Sequence, residues 1–220
     1  PGRAEQHDVV VAGLPHQALH STLLVVAPAP LQIRHADPVA DAAACVEIYT
    51  PFVVDSAVSF DIVAPTVEEF SAKIAHLLET HAFLVADDAG RVAGYAYSGP
   101  YRERAAYRWS AEVSVYVHPD YRGRGVGRQL YEVLLAVMRR QGLRTAIAGV
   151  TQPNPASMAL HHACGFQIVG VFERIGYKAG AWRDVAFLAL ELDPDVDPTR
   201  TPDEPRRARL PGDGDAGPDA

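Results

Sequence analysis

The chain has 220 residues, of which 48% are hydrophobic, with 20 Lys and Arg against 27 Asp and Glu; that is enough for one or two globular domains. Eight acidic and four basic residues lie from Asp193 onward, so −4 of the formal net charge of −7 belongs to the end of the chain. The nearly neutral body argues against a general nucleic-acid binder, and two distant cysteines, Cys45 and Cys164, suit a reducing, cytoplasmic compartment rather than a disulfide framework.

The apolar runs VVVAGL and LLVVA near the start are too short to span a bilayer, so no membrane partner is expected. The absence of a basic leading region argues against a signal peptide. Residues 1–30 read as an N-terminal extension, open between an extra strand, an expression remnant and an extended start. From there the pattern alternates. Leu31–His35 reads as a short strand, and Asp37 followed by Pro38 starts a helix that runs toward Tyr49. Thr66-Val67-Glu68-Glu69 matches a capping box, continued by Phe70, Ile74, Leu77 and Leu78 on one helical face. AFLVAD, a turn at Asp88-Ala89-Gly90 and RVAGYAYSG form a hairpin, and Glu112–Val117 is the next strand.

A glycine-rich segment follows, then a helix with Leu130, Val133, Leu134, Val137 and Met138 at helical spacing that stops at Gly142. TAIAGV is a buried strand, and Pro155–Cys164 is a short helix capped by Asn154 and ended by Gly165. FQIVGVFERIG and WRDVAFLALEL complete the sheet. The expected order is β-α-α-β-β-β-α-β-α-β-β, one domain over residues 31–192 with helices against a mixed sheet. The stretch 193–220, rich in Pro, Asp, Gly and Arg, is expected to be a disordered tail.

The segment Val113–Leu135 carries most of the functional signal. A strand runs through His118-Pro119 into a loop holding Gly123, Gly125 and Gly127 just before a helix. Backbone amides without side-chain cover at a helix N-terminus make a phosphate site, and Arg122, Arg124 and Arg128 add positive charge. A dinucleotide fingerprint fails, because the third glycine position after Gly125 is Arg128. A mononucleotide P-loop fails for want of Gly-Lys-Ser/Thr. Arg122-x-x-Gly125-x-Gly127 after a Val-x-Pro strand end resembles the pyrophosphate segment of the GNAT superfamily of acetyl-coenzyme A-dependent acetyltransferases.

Within that superfamily, GPYRERAAYRWSAEVSVYV, TPFVVDSAVSFDIVAPT, QPNPASMALHHACGF and IGYKAGAWRDVAF resemble the phosphinothricin and methionine sulfoximine N-acetyltransferases. The resemblance spans about Ile33–Leu192. It departs at Ala105 and Ala179, where polar residues are expected, and at Arg108 and Arg183. It implies an α/β (α+β) fold with a mixed, mostly antiparallel sheet flanked by helices, acetyl-CoA as cosubstrate, a small amine acceptor and a homodimer.

Period-two alternation puts Glu112, Ser114 and Tyr116 on one strand face. Glu112 corresponds to the family's general base, although a free carboxylate needs burial or a relaying water to act near neutrality. By resemblance, Val115, Tyr116 and Val117 offer a strand amide to the thioester oxygen, Val126 joins the phosphate loop, and Asn154 contacts the coenzyme arm besides capping its helix. His161, two turns beyond Asn154, stands where many members place a tyrosine that protonates the sulfur. An imidazole suits that step, and a structural hydrogen bond is the alternative. Arg102, Arg104 and Tyr107, with Phe60, Tyr177, Lys178 and Trp182 from other matched segments, are the candidate acceptor-binding residues: cations for an anionic amino acid and aromatic walls to fix it. The nine histidines are scattered and stand at no ligand spacing, so no metal is expected. A peptide acceptor or a non-catalytic coenzyme A-binding module are the rival readings.

Overall fold

A computed structural model describes residues 31–195, 197 and 199–212; the extension 1–30 lies outside the described residues. The elements are β1 (Gln32–His35), α1 (Ala42–Val54), α2 (Val67–Thr80), β2 (Phe83–Asp88), β3 (Arg91–Pro100), β4 (Ser110–Val117), α3 (Val126–Gln141), β5 (Thr145–Thr151), α4 (Pro155–Ala163), β6 (Gln167–Lys178) and β7 (Ala181–Glu191). This is the expected order of strands and helices. One seven-stranded sheet runs β1-β2-β3-β4-β5-β7-β6. β4 and β5 form its one parallel pair, and α3 makes the crossover that such a pair requires.

The hydrophobic pattern divides into two cores, one on each face. Leu130, Tyr131, Leu134 and Met138 of α3 pack with Ala111 and Val113 of β4, Ala146 and Ala148 of β5, and Ala186 and Leu188 of β7. On the other face, Cys45, Ile48 and Tyr49 of α1 and Phe70 and Ile74 of α2 meet Phe83, Val85 and Tyr95. Cys45 is fully buried there, as its place on an apolar face implies. The capping box at Thr66 forms in full, with the Thr66 side chain accepting from the Glu69 amide and the Glu69 carboxylate accepting from the Thr66 amide.

Two local expectations change. The regular helix begins at Ala42 rather than directly after Asp37, although Asp37 caps the turn that leads into it, its Oδ1 accepting from the amides of Val39 and Ala40. It also runs past Tyr49 through Pro51. The proline has no amide to give to the Glu47 carbonyl one turn back, and in the same turn the Thr50 hydroxyl donates to the Val46 carbonyl at 2.8 Å. The end of the chain differs more. The stretch from Thr199 to Gly212, expected to be disordered, lies back against the domain. The Trp109 indole donates to the Asp203 carbonyl at 2.8 Å, Arg108 Nη1 reaches both oxygens of Glu204 at 2.7 and 2.8 Å, and Ala208 and Leu210 pack on the α3 core. Composition averaged over 28 residues hid this short anchored stretch.

Candidate active site

β4 and β5 are in register only at Ser110/Thr145, Ala111/Ala146 and Glu112/Ile147. Beyond that, β4 stays with β3 as far as Val117 and β5 stays with β7 as far as Thr151, so the two strands separate into a wedge. Their facing edges have no ladder partner in each other, which is the setting in which an extended, amide-bearing chain is bound by main-chain hydrogen bonds. A small cavity of about 60 Å³ occupies the wedge, lined by Val58, Val113, Ser114, Val115, Tyr116, Tyr131, Gly149, Val150, Thr151, Asn154, Ser157 and His161.

The wedge opens toward the glycine loop. Gly125 holds φ +78° as the N-cap of α3, a left-handed conformation that costs other residues roughly 1–2 kcal/mol. The Arg122 and Arg124 amides turn back to the Pro119 and Tyr121 carbonyls, and the first intrahelical bond comes from the Gln129 amide to the Gly125 carbonyl. The first-turn amides of Val126, Gly127 and Arg128 are thus left to face an anion at the positive end of the helix dipole. A Cβ on Gly127 would come within 3.2 Å of Leu160 and 3.5 Å of Val117, so glycine lets α3 sit close to both β4 and α4. The Tyr121 hydroxyl donates to Asp88 at 2.7 Å and anchors the loop from below. Arg122 lies over the Phe52 ring and Arg124 over Tyr121, while Arg128 pairs with Glu132 along α3. Bare amides beside a wedge of unpaired strand edges fit a diphosphate joined to an extended amide-containing arm.

Glu112 is the last β4 residue paired with β5, at the closed end of the wedge. Directly opposed residues of an antiparallel pair share a face, so Glu112, Ser114 and Tyr116 lie with Gly99, Tyr97 and Tyr95. The carboxylate reaches over Gly149, whose absent side chain leaves space between Glu112, Val185 and Phe187. Glu112 keeps a solvent-facing side, yet the protein around it pushes its carboxyl pKa above the usual value. That change makes it a better base.

His161 is buried, and both ring nitrogens are engaged. Nδ1 lies 2.8 Å from the Ser157 carbonyl, which only accepts, so Nδ1 carries the proton. Nε2, 3.0 Å from the Tyr131 hydroxyl, is then the acceptor. Burial lowers the His161 pKa, the Ser157 carbonyl opposes that and His162 adds to it. Asn154 Oδ1 accepts from the Ser157 amide at 3.1 Å, so the cap that starts α4 also sets the wall of the wedge.

Val115, Tyr116 and Asn154 line the wedge, and Val117 packs against the loop at Gly127. The seven acceptor-binding candidates divide into two groups, and neither lines the wedge. Arg102, Arg104 and Tyr107 face a separate cavity of about 810 Å³ at the other end of β4. Phe60, Tyr177, Lys178 and Trp182 gather at the β6–β7 hairpin. There Lys178 Nζ donates to the carbonyls of Ser59 and Asp61, Phe60 lies on Gly176, and Tyr177 meets Trp182 edge to face. Lys178 therefore ties the loop before α2 to β6, with its charge spent on main-chain carbonyls. Sequence reasoning missed Tyr131, Ser157 and Gly149. Tyr131 stands at a core-facing position of α3, where its spacing marks it only as packing.

The model of the acetyltransferase (GNAT) domain family matches residues 34–187. A phosphinothricin N-acetyltransferase of Streptomyces viridochromogenes is 37% identical over 164 residues, 74% of this chain and 89% of that protein. An L-methionine sulfoximine/L-methionine sulfone acetyltransferase of Salmonella typhimurium is 38% identical over 164 residues, 74% of this chain and 95% of that protein. A phosphinothricin acetyltransferase of Sinorhizobium meliloti, solved in complex with acetyl-CoA, superimposes with a TM-score of 0.74 at 32% identity, covering 80% of this chain and 95% of that one.

Proposed function

As this chain belongs to the GNAT acetyltransferase family, we propose that it transfers the acetyl group of acetyl-CoA directly to the free amino group of a small amino acid of the phosphinothricin or methionine sulfoximine type. The observation that carries this reading is the place of Glu112, a carboxylate of raised pKa where the unpaired strand edges converge. The named relatives act on such acceptors.

When bound, acetyl-CoA supplies an acyl carbon activated as a thioester. The amides of Gly123 and of residues 125–128, at the start of α3, hold the diphosphate, with the Arg122 and Arg124 side chains beside them. The facing edges of β4 and β5 hold the arm, and an amide among Val115–Val117 polarises the thioester oxygen. Glu112 takes a proton from the acceptor's ammonium group, directly or through a water, so that the amine becomes nucleophilic. Tyr131 lines the wedge with its hydroxyl proton on the hydrogen bond to His161 Nε2. Turned from that nitrogen to the departing thiolate, the hydroxyl gives sulfur its proton, and the phenolate regains one from the nitrogen that has just been acylated. The assay is acetyl-CoA consumption over phosphinothricin, methionine sulfoximine, polyamines, aminoglycosides and peptides. Turnover confined to the two amino acids is expected; preferential turnover of peptides, or coenzyme binding with no turnover, sinks the reading.

The reading includes a homodimer in the cytoplasm. β6 is a twelve-residue edge strand whose Ile168, Val169, Val171, Phe172 and Ile175 are each about half exposed or more, with Trp182 beside them on β7. A long apolar edge of this kind is a pairing surface. Among the described residues, no helix is long and apolar enough to cross a membrane. Val171→Glu is expected to convert a dimeric mass into a monomeric one by sedimentation; a wild-type monomer would remove the dimer from the reading.

A further inference from the structure

The family match ends at residue 187, yet the chain continues into a segment with a fixed path. Asp203 is held by the Trp109 indole and Glu204 by both oxygens on Arg108. The Arg206 amide donates to the Gln141 carbonyl at 2.7 Å, and Gln141 Nε2 returns a bond to the Arg206 carbonyl at 3.1 Å. These contacts make Glu204–Arg207 one wall of the 810 Å³ cavity whose opposite wall is the loop 102–108.

The cavity adjoins the catalytic face. Ser110 lines it and stands two residues before Glu112 on the same side of β4, roughly 7 Å away. With Arg108 neutralised by Glu204, its remaining charged groups are Arg102, Arg104, Arg206 and Arg207 against Glu79 and Glu103, a surplus of two positive charges (four minus two). Glu79 is turned toward His76 at 3.6 Å, and none of the four arginines is ion-paired among the described residues. The diphosphate site lies at the opposite end of β4, so these cations are available to the acceptor.

We propose that the C-terminal segment Asp203–Arg207 is an acceptor-specificity element, in which Arg206 and Arg207 join Arg102 and Arg104 to select amino acids whose side chain ends in a second acidic group. The inference rests on the reading of Glu112 as the base that receives such an acceptor's amine. It places the acceptor between the two cavities, the amine at Glu112 and the side-chain anion among the guanidinium groups, which bind oxyanions in pairs.

The test is calorimetry on the full chain with coenzyme A present, comparing phosphinothricin, which has an anionic side group, with L-methionine sulfone, which has a neutral one. The double variant Arg206→Ala/Arg207→Ala is expected to bind phosphinothricin about tenfold more weakly while its affinity for the sulfone changes by less than about twofold. Arg206→Lys/Arg207→Lys restores most of the difference, and Arg102→Ala on the opposite wall repeats the loss. In steady state the same variants raise KM for phosphinothricin and leave kcat unchanged. Equal loss for both ligands, no loss, or a wild-type protein without preference for the anionic ligand overturns the proposal. Binding is read apart from turnover, so a wild-type protein that binds with this preference but does not acetylate removes the proposed reaction and leaves the specificity element standing.

Discussion

Glu112→Gln lowers kcat/KM for the acceptor by about 10²–10⁴-fold, the range expected when a general base is removed, while coenzyme A binding stays intact. The amide keeps the shape of the side chain at the closed end of the wedge and loses only the ability to accept a proton. Stability moves the other way. Burial raises the Glu112 pKa in the fold, so the ionised carboxylate is disfavoured there relative to the unfolded chain. The resulting penalty is absent below the ordinary carboxyl pKa and grows as pH rises through the raised one. The variant is thus at least as stable as wild type at neutral pH, which separates lost chemistry from lost folding. Wild-type kcat/KM falls on the acid side as Glu112 becomes protonated, with an apparent pKa above that of a free carboxyl. The variant has no such limb. A pH profile of kcat/KM together with thermal melts checks all three statements; a variant with more than half the wild-type kcat/KM, or one that melts far below wild type, removes Glu112 from the role of base.

The order of strands and helices was legible because each element announces itself locally. The capping box at Thr66, the positive-φ glycines that follow α3 and α4, and the strand over Glu112–Val117 are all present in the structure. The glycine loop before α3 was legible for a similar reason: its shape lies in main-chain conformation, which glycine spacing reports directly, and Gly123 and Gly125 do hold positive φ. What the sequence concealed depends on distance along the chain. Nothing in the spacing of Arg102, Arg104 and Tyr107 says that their cavity is closed by Glu204–Arg207, a hundred residues later. Nothing in Lys178 says that the carbonyls of Ser59 and Asp61, more than a hundred residues earlier, will take two hydrogen bonds from its ammonium group. Resemblance gathered seven acceptor-binding residues into one set, and the fold separates them because a shared motif records which segments matter, not which cavity each one faces.

Tyr131 and His161 show the same limit, since thirty residues separate two side chains that touch at 3.0 Å. His161→Phe keeps a ring between Tyr131 and Phe166, each now about 5.2 Å from the imidazole centroid, but takes away the acceptor for the Tyr131 hydroxyl. Leaving that fully buried hydroxyl unpaired costs about 1–3 kcal/mol. If the pair delivers the sulfur's proton, kcat also falls by roughly 10²-fold, with KM for acetyl-CoA little changed, and Tyr131→Phe gives the same loss without adding to it in the double variant. The pH dependence has a definite sign. Burial depresses the His161 pKa, so its neutral form contributes stability that is complete above the ordinary histidine pKa and is lost as pH falls through the depressed value. Denaturation midpoints of wild type therefore drop more between neutral and mildly acidic pH than those of His161→Phe. A His161→Phe enzyme with unchanged kcat but the predicted loss of stability would reduce the pair to a core hydrogen bond and leave the sulfur to take its proton from water.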